Sequence, residues 1–243
     1  MFEEKRSREF LDIFKEIEQH LQSESEFSGH QSFHNLIDEF REKHSVIEFY
    51  YDQLRHIRNI RNLLVHNHEF YAVPNEKSLE VLKKIKDIIK NPPSVIPLFE
   101  KEVLTASADS FLIEAARTMR ENDFSQVPVI DSKNHIIDLL TSNSIARWLG
   151  SLDNNENIDV SARNVRVEDV LEYKEGHCRY EIVDRRTSVV EVLNLFKEAS
   201  KRGERLEAII ITDEGNKEGD QKGIITGSDV TSIYDNIDLN FSN

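Results

Sequence analysis

Cys178 is the only cysteine in 243 residues, so the chain cannot close an internal disulfide. No apolar run is long enough to span a bilayer, and no membrane partner is expected. The charged opening MFEEKRSREF lacks the apolar core of a secretory leader. With the lone cysteine, it predicts a reducing cytoplasm. Basic residues are scarce: 31 Lys+Arg stand against 45 Asp+Glu, a net charge of −14. That balance disfavours indiscriminate nucleic-acid binding, because like charges repel. A Walker loop, a dinucleotide-binding glycine fingerprint and a nucleophile elbow are all missing. There is no cysteine pair and no H-E-x-x-H, so no metal cofactor is expected. DEGNKEGD, at residues 213–220, is rich in carboxylates but lacks EF-hand spacing, and reads as a solvated hairpin loop.

The composition is that of a soluble globular protein, with 38% hydrophobic and 31% charged residues. Its charge is uneven. Residues 1–93 carry 14 Lys+Arg and 17 Asp+Glu, whereas residues 94–243 carry 17 and 28. Seven of the nine histidines fall in the first part, and no acid stands between Asp52 and Glu69. The acid-free stretch has the form of a confined anion site, and equally of a solvated helix face.

The first part is patterned for helices alone. Phe10, Ile13, Phe14, Ile17 and Leu21 recur at spacings of three and four. Phe33, Leu36, Ile37 and Phe40 make a second stripe. A third helix is predicted from Val46 to about His66, and a fourth from Glu76 to Lys90. The proline of YAVPN separates these last two, and NPPSVIP ends the set. On the third helix, Arg55, Arg58, Asn59, Asn62 and His66 share an arc of about 100°. Arg61 lies off that arc, roughly 140° from His66 and near the apolar edge. An arginine there needs a partner. His66 and His68 are two residues apart and face different ways on a helix, which disfavours a shared metal.

After Pro93 the pattern changes. Phe111–Asn122 is helical; QVPVID and HIIDLLT read as strands; SNSIARWLG returns to helix, with Trp148 at a core position. The same order recurs from Ser188 to Ile237. Glu114 falls on Glu191 at an offset of 77, and Thr141 on Thr226 at 85, the difference matching a longer loop at 213–223. Two such copies would bury faces that one copy alone cannot.

GIITGSDV (Gly223–Val230) resembles the G-h-x-T-x-x-D signature of CBS domains, which occur in tandem pairs called Bateman modules. The resemblance implies an α+β fold: an N-terminal all-α four-helix bundle, then two βαββα repeats. The division is residues 1–91 for the bundle, 92–94 for a linker, 95–151 for the first repeat and 161–238 for the second. It also implies an adenine nucleotide (AMP, ADP or ATP) as regulatory ligand. A carboxylate entering a helix can accept hydrogen bonds from both ribose hydroxyls. A threonine hydroxyl and helix-start amides suit phosphate. Asp229 is thus expected to hold ribose and Thr226 phosphate. Thr105, Val127 and Thr141 would contribute from the first copy. That copy departs from the pattern: Ser144 stands at the carboxylate position and Asp138 at the glycine. One competent cleft and one degenerate cleft are expected.

RNLLVH (Arg61–His66) resembles the R-N-x-x-x-H motif of HEPN domains, small helical bundles that include metal-independent ribonucleases. By that resemblance His66 transfers protons, Arg61 contacts phosphate and Asn62 orients the pair. Histidine chemistry near neutral pH and arginine's fork fit those roles. Single-stranded RNA would be the substrate. Both resemblances point to a homodimer, in which one chain's Arg61 could meet the other's His66. The sequence therefore supports a nucleotide-sensing protein that regulates a ribonuclease. The alternatives are a non-enzymatic sensor whose bundle docks a protein, and an accessory to a nucleotidyltransferase.

Overall fold

The computed structural model describes residues 2–27, 29–66, 73–152 and 164–237. The chain forms two compact units, Met1–Pro93 and Ser94–Asn243.

The first unit is helical: α1 (Phe2–Glu24), α2 (Phe33–Arg41), α3 (Ser45–Phe49), α4 (Tyr51–His66) and α5 (Glu76–Lys90). The predicted apolar stripes supply its core. Phe10, Ile17, Leu21, Leu36, Ile37, Leu54, Leu82 and Ile85 are essentially fully buried. Capping explains where two helices start. Ser32 accepts a hydrogen bond from the Asn35 amide at 3.3 Å, and Asn75 Oδ1 one from the Ser78 amide at 2.7 Å. α1 and α5 are laced by surface pairs, Lys83–Glu9 at 2.5 Å and Lys90–Glu16 at 2.9 Å. Exposed pairs of this kind contribute at most about 1 kcal/mol each.

The single third helix expected from Val46 to His66 is in fact two, parted at Tyr50. Its φ of −97° and ψ of 12° leave the helical region. The kink has a packing cause: the Tyr50 ring is fully buried, while Tyr51 turns outward and donates its hydroxyl to Asp38 at 2.5 Å. Burial without a hydrogen-bond partner pushes the Tyr50 phenol above its ordinary range.

The second unit contains two three-stranded sheets of identical topology. In the first, β1 (Ala106–Ser107) runs parallel to β2 (Gln126–Ile130), which pairs antiparallel with β3 (Ile136–Thr141). In the second, β4 (Cys178–Asp184) is parallel to β5 (Arg205–Thr212), and β5 is antiparallel to β6 (Gln221–Thr226). The parallel pairs need a helical crossover. α6 (Leu112–Glu121) and α8 (Val189–Lys201) supply it, and α7 (Ser142–Ser151) and α9 (Val230–Ile237) follow the third strands. This is an α+β architecture with a tandem βαββα repeat. β5 is buried on both faces from Ala208 to Thr212, which accounts for its unbroken apolar run AIII.

The repeats exchange their flanking segments. Val95 donates its amide to Thr187 O at 2.8 Å and Lys101 to Lys222 O at 3.0 Å, so residues 94–101 lie along the second repeat. Conversely, Leu112 bonds Val165 O, and Val167 and Val170 sit in the core of the first repeat with Trp148 and Leu140. The segment around Val165–Tyr173 therefore completes the first repeat, although the sequence division assigns it to the second. Neither repeat fills its own core without chain from the other's side.

Candidate functional site

The exchange leaves two clefts in the second unit, each walled by both repeats. The one beside the intact signature has a volume of about 370 Å³. Thr226, Ser228 and Asp229 form one side, at the junction of β6 and a short 3-10 turn (Gly227–Asp229) leading into α9. Asp229 Oδ2 accepts from the Thr226 amide at 2.7 Å and from the Thr226 hydroxyl at 3.0 Å. Thr226 Oγ1 also lies 2.7 Å from Ser228 Oγ. Asp229 Oδ1 has no protein donor among the described residues. The carboxylate is thus held by one oxygen and presents the other to the cleft. Phe124, Pro128 and Ile224 give apolar walls, Gln126 a polar one and Lys101 a cation.

Gly223 shapes this cleft from behind. A Cβ there would stand 2.2 Å from the Phe99 carbonyl oxygen. The glycine of the signature is therefore needed for close approach of the exchanged segment to β6. In the first repeat the corresponding Asp138 instead reaches Lys174 at 2.6 Å.

The second cleft, about 300 Å³, lies beside the degenerate signature. Here Thr141 and Ser144 form a closed capping box. The Ser144 amide donates to Thr141 Oγ1 at 3.0 Å, the Thr141 amide to Ser144 Oγ at 3.0 Å, and Ser144 Oγ to Thr141 O at 2.8 Å. Ser144 is 1% exposed. Its hydroxyl has no capacity left for a ligand. Cys178 and Glu207 also line this cleft. Burial, then hydrogen bonds to Glu175 and Glu207, push the Cys178 thiol up to about 12.

The structure thus brings Thr226 and Asp229 together but distributes the other expected nucleotide contacts. Val127 is 2% exposed and packs into the first repeat's core. Strand alternation gives the cleft its neighbours Gln126 and Pro128 instead. Thr105 is half-buried just past Leu104, which does line the cleft. Thr141 lines the other cleft. Lys101 and Phe124 were not singled out from the sequence, and only the exchanged segment explains Lys101's presence.

In the first unit, a cleft of about 340 Å³ gathers Arg58, Arg61, Asn62, His30 and His34, with Glu18 the one acid. The partner of Arg61 lies within the same chain: its guanidinium is 5.7 Å from the centre of the Phe14 ring, and its Nη1 donates to Asn62 Oδ1 at 3.2 Å. Arg58 Nε is buried without a hydrogen-bond partner. His66 is the last residue of α4, and its side chain lies outside the described set, as do Asn67 and His68. No helix among the described residues is long and apolar enough to cross a membrane.

No curated protein matches the chain. Among solved structures, it resembles a putative acetoin utilization protein (AcuB) from Vibrio cholerae at 15% identity, covering 59% of this chain and 91% of that one, with a TM-score of 0.45. A CBS domain of a CBS-domain-containing membrane protein from Sphaerobacter thermophilus is 16% identical over 65% and 98% of the two chains, at 0.48. CBSX2, solved in complex with AMP, is 14% identical over 60% and 98%, at 0.44. Residues 85–151 match the family model of the CBS domain, a stretch that runs from within α5 through the first repeat. Over residues 85–151 the chain is therefore similar to a CBS domain.

Proposed function

We propose that the second unit is a nucleotide sensor and that its ligand, an adenine nucleotide, occupies the cleft beside Asp229. The observation that carries this reading is the contrast between the signatures. Thr226 and Asp229 face a cleft with one carboxylate oxygen unused, whereas Thr141 and Ser144 are buried and mutually satisfied. A ribose diol donating to Asp229 Oδ1 would exploit that oxygen. Phe124, Pro128 and Ile224 would cover the base. Lys101 faces Glu102, Asp123 and Asp229 around the same opening, so the cleft is net acidic. Each added phosphate then costs affinity, and AMP should bind better than ATP without magnesium. Calorimetric titration of the full chain with AMP, ADP and ATP tests this. Asp229→Ala should weaken AMP at least about tenfold, the scale of one charge-assisted hydrogen bond. Affinity unchanged by that substitution would remove the site.

A second reading concerns the helical unit, which acts here as the sensor's output: a HEPN-type bundle that cleaves single-stranded RNA without metal, as a homodimer. The gathering of Arg58, Arg61, Asn62, His30 and His34 in one cleft favours it, because such groups grip phosphate and move protons. The ring of Phe14 satisfies Arg61 without a second chain. RNA that stays intact with the wild-type chain in chelator, under conditions where the protein is folded, overturns the ribonuclease reading. Cleavage undiminished in Arg61→Ala and His66→Ala overturns the residue roles.

A further inference from the structure

We propose that Glu175, His177 and Cys178, with Glu207 beside them, form a binding site for a divalent transition-metal ion of the zinc type, at the wall of the degenerate cleft. The ligand atoms of the first three lie within 4.8 Å of one another. Three separations within the cluster are close to those that a tetrahedral ion requires. Cys178 Sγ is 3.1 Å from Glu175 Oε2 and 3.3 Å from Glu207 Oε1, and His177 Nε2 is 3.4 Å from Glu175 Oε2. With metal–ligand bonds of about 2.0–2.3 Å, the edges of a coordination tetrahedron are roughly 3.3–3.8 Å. Thiolate, imidazole and carboxylate together select zinc-like ions over calcium or magnesium, which prefer oxygen alone.

The local fold explains why these groups converge. The Cys178 amide donates to Glu175 O at 3.0 Å, closing a tight turn that sets Glu175 against the cysteine as β4 begins. The Arg205 amide bonds His177 O at 2.9 Å, fixing the turn on β5. Cys178 pairs with Arg205 in register, so Glu207 projects from the same sheet on the neighbouring strand. Arg205 supplies the cation in the metal-free chain, 2.7 Å from Glu207 and 3.9 Å from Glu175. Its side chain is 52% exposed and can swing out when an ion takes over that role. On binding, the Cys178 S–H proton is released to solvent and an S–metal bond forms, with no change in oxidation state. The site is independent of the nucleotide reading, because the Asp229 cleft shares none of these residues.

The single cysteine makes the test specific. The full chain, stripped with chelator, is titrated with Co²⁺ while the thiolate-to-metal charge-transfer absorption is followed. One equivalent should saturate the band, and Zn²⁺ should bleach it. Cys178→Ser, shown to be folded by its circular dichroism and melting curve, should lose the band. Competition against a chromophoric chelator then reads zinc directly, and His177→Ala should weaken it at least tenfold. Cobalt binding without a charge-transfer band overturns the proposal. So does one equivalent of zinc held equally well by Cys178→Ser and His177→Ala, which would place the ion elsewhere.

Discussion

Gly223→Ala should destabilise the second unit by about 3 kcal/mol. The added methyl would lie 2.2 Å from the Phe99 carbonyl oxygen, 0.8 Å inside the 3.0 Å that real Cβ contacts respect. The obstacle is backbone, so no rotamer change relieves it. Ile211 Cδ1, at 3.1 Å, blocks retreat on another side. Overpacking of this kind costs about 1–3 kcal/mol. Moving the exchanged segment aside also strains the neighbouring Lys101–Lys222 hydrogen bond of 3.0 Å, worth about 1 kcal/mol. For a domain of this size, 3 kcal/mol lowers Tm by about 6–12 °C. Differential scanning calorimetry of the full chain measures it, with Gly227→Ala as control because nothing lies within 4 Å of its added carbon. A Gly223→Ala melting curve within about a degree of wild type would refute the argument that this glycine exists for close approach, since even 1 kcal/mol should move Tm by more.

Ser144→Asp restores the residue of the second signature but should create no nucleotide site, because position 144 is 1% exposed. It should instead cost about 1–3 kcal/mol by overpacking, read from urea denaturation. Ile85→Ala should destabilise the helical unit by about 2–5 kcal/mol, since the side chain is fully buried and leaves a cavity. Asp131 accepts from the His135 and Lys133 amides, both at 2.8 Å, and the His135 bond does most to hold its carboxyl below the usual aspartate range. Its folded pKa is thus depressed, so its contribution to stability is complete above the unfolded aspartate value of about 3.9 and fades as pH falls through the folded one. An NMR titration of its carboxyl carbon should show a midpoint below about 3.9, and a midpoint at or above that value would contradict the geometry.

Much of the architecture was legible because period and packing agree. The α5 range is the predicted one to the residue, and β2, β3, β5 and β6 fall on runs rich in branched apolar residues. β4 escaped a reading by pattern because CRYEIVD lies at a sheet edge, where only Val183 is buried. Periodicity located Arg61 off the polar arc, but not the Phe14 ring from α1 that meets it. In the cleft, the motif found Asp229 and Thr226, whereas Lys101 arrives through the segment exchange, which no local pattern encodes. Val127 was assigned to the cleft by analogy, and strand alternation turns it into the core. The cluster of Glu175, His177 and Cys178 was missed because spacing rules look for repeated Cys or His, whereas here a tight turn brings three different donor types together, with Glu207 on the neighbouring strand.

The capping box of Thr141 and Ser144 has a counterpart at Thr226 and Asp229, closed in the same way but with one carboxylate oxygen to spare. At the start of α7 the Thr141 and Ser144 side chains are committed to each other, so no free carboxylate oxygen remains there for a ligand. At the start of α9, Asp229 divides its two oxygens between the chain and the solvent. A ligand on the free oxygen would tighten the whole helix start, so the amides opening α9 should exchange more slowly with ligand bound while those of α7 stay unchanged. The two repeats would then differ less in shape than in mobility. One would serve as a fixed frame, and in the other the last helix would carry the signal of the proposed ligand.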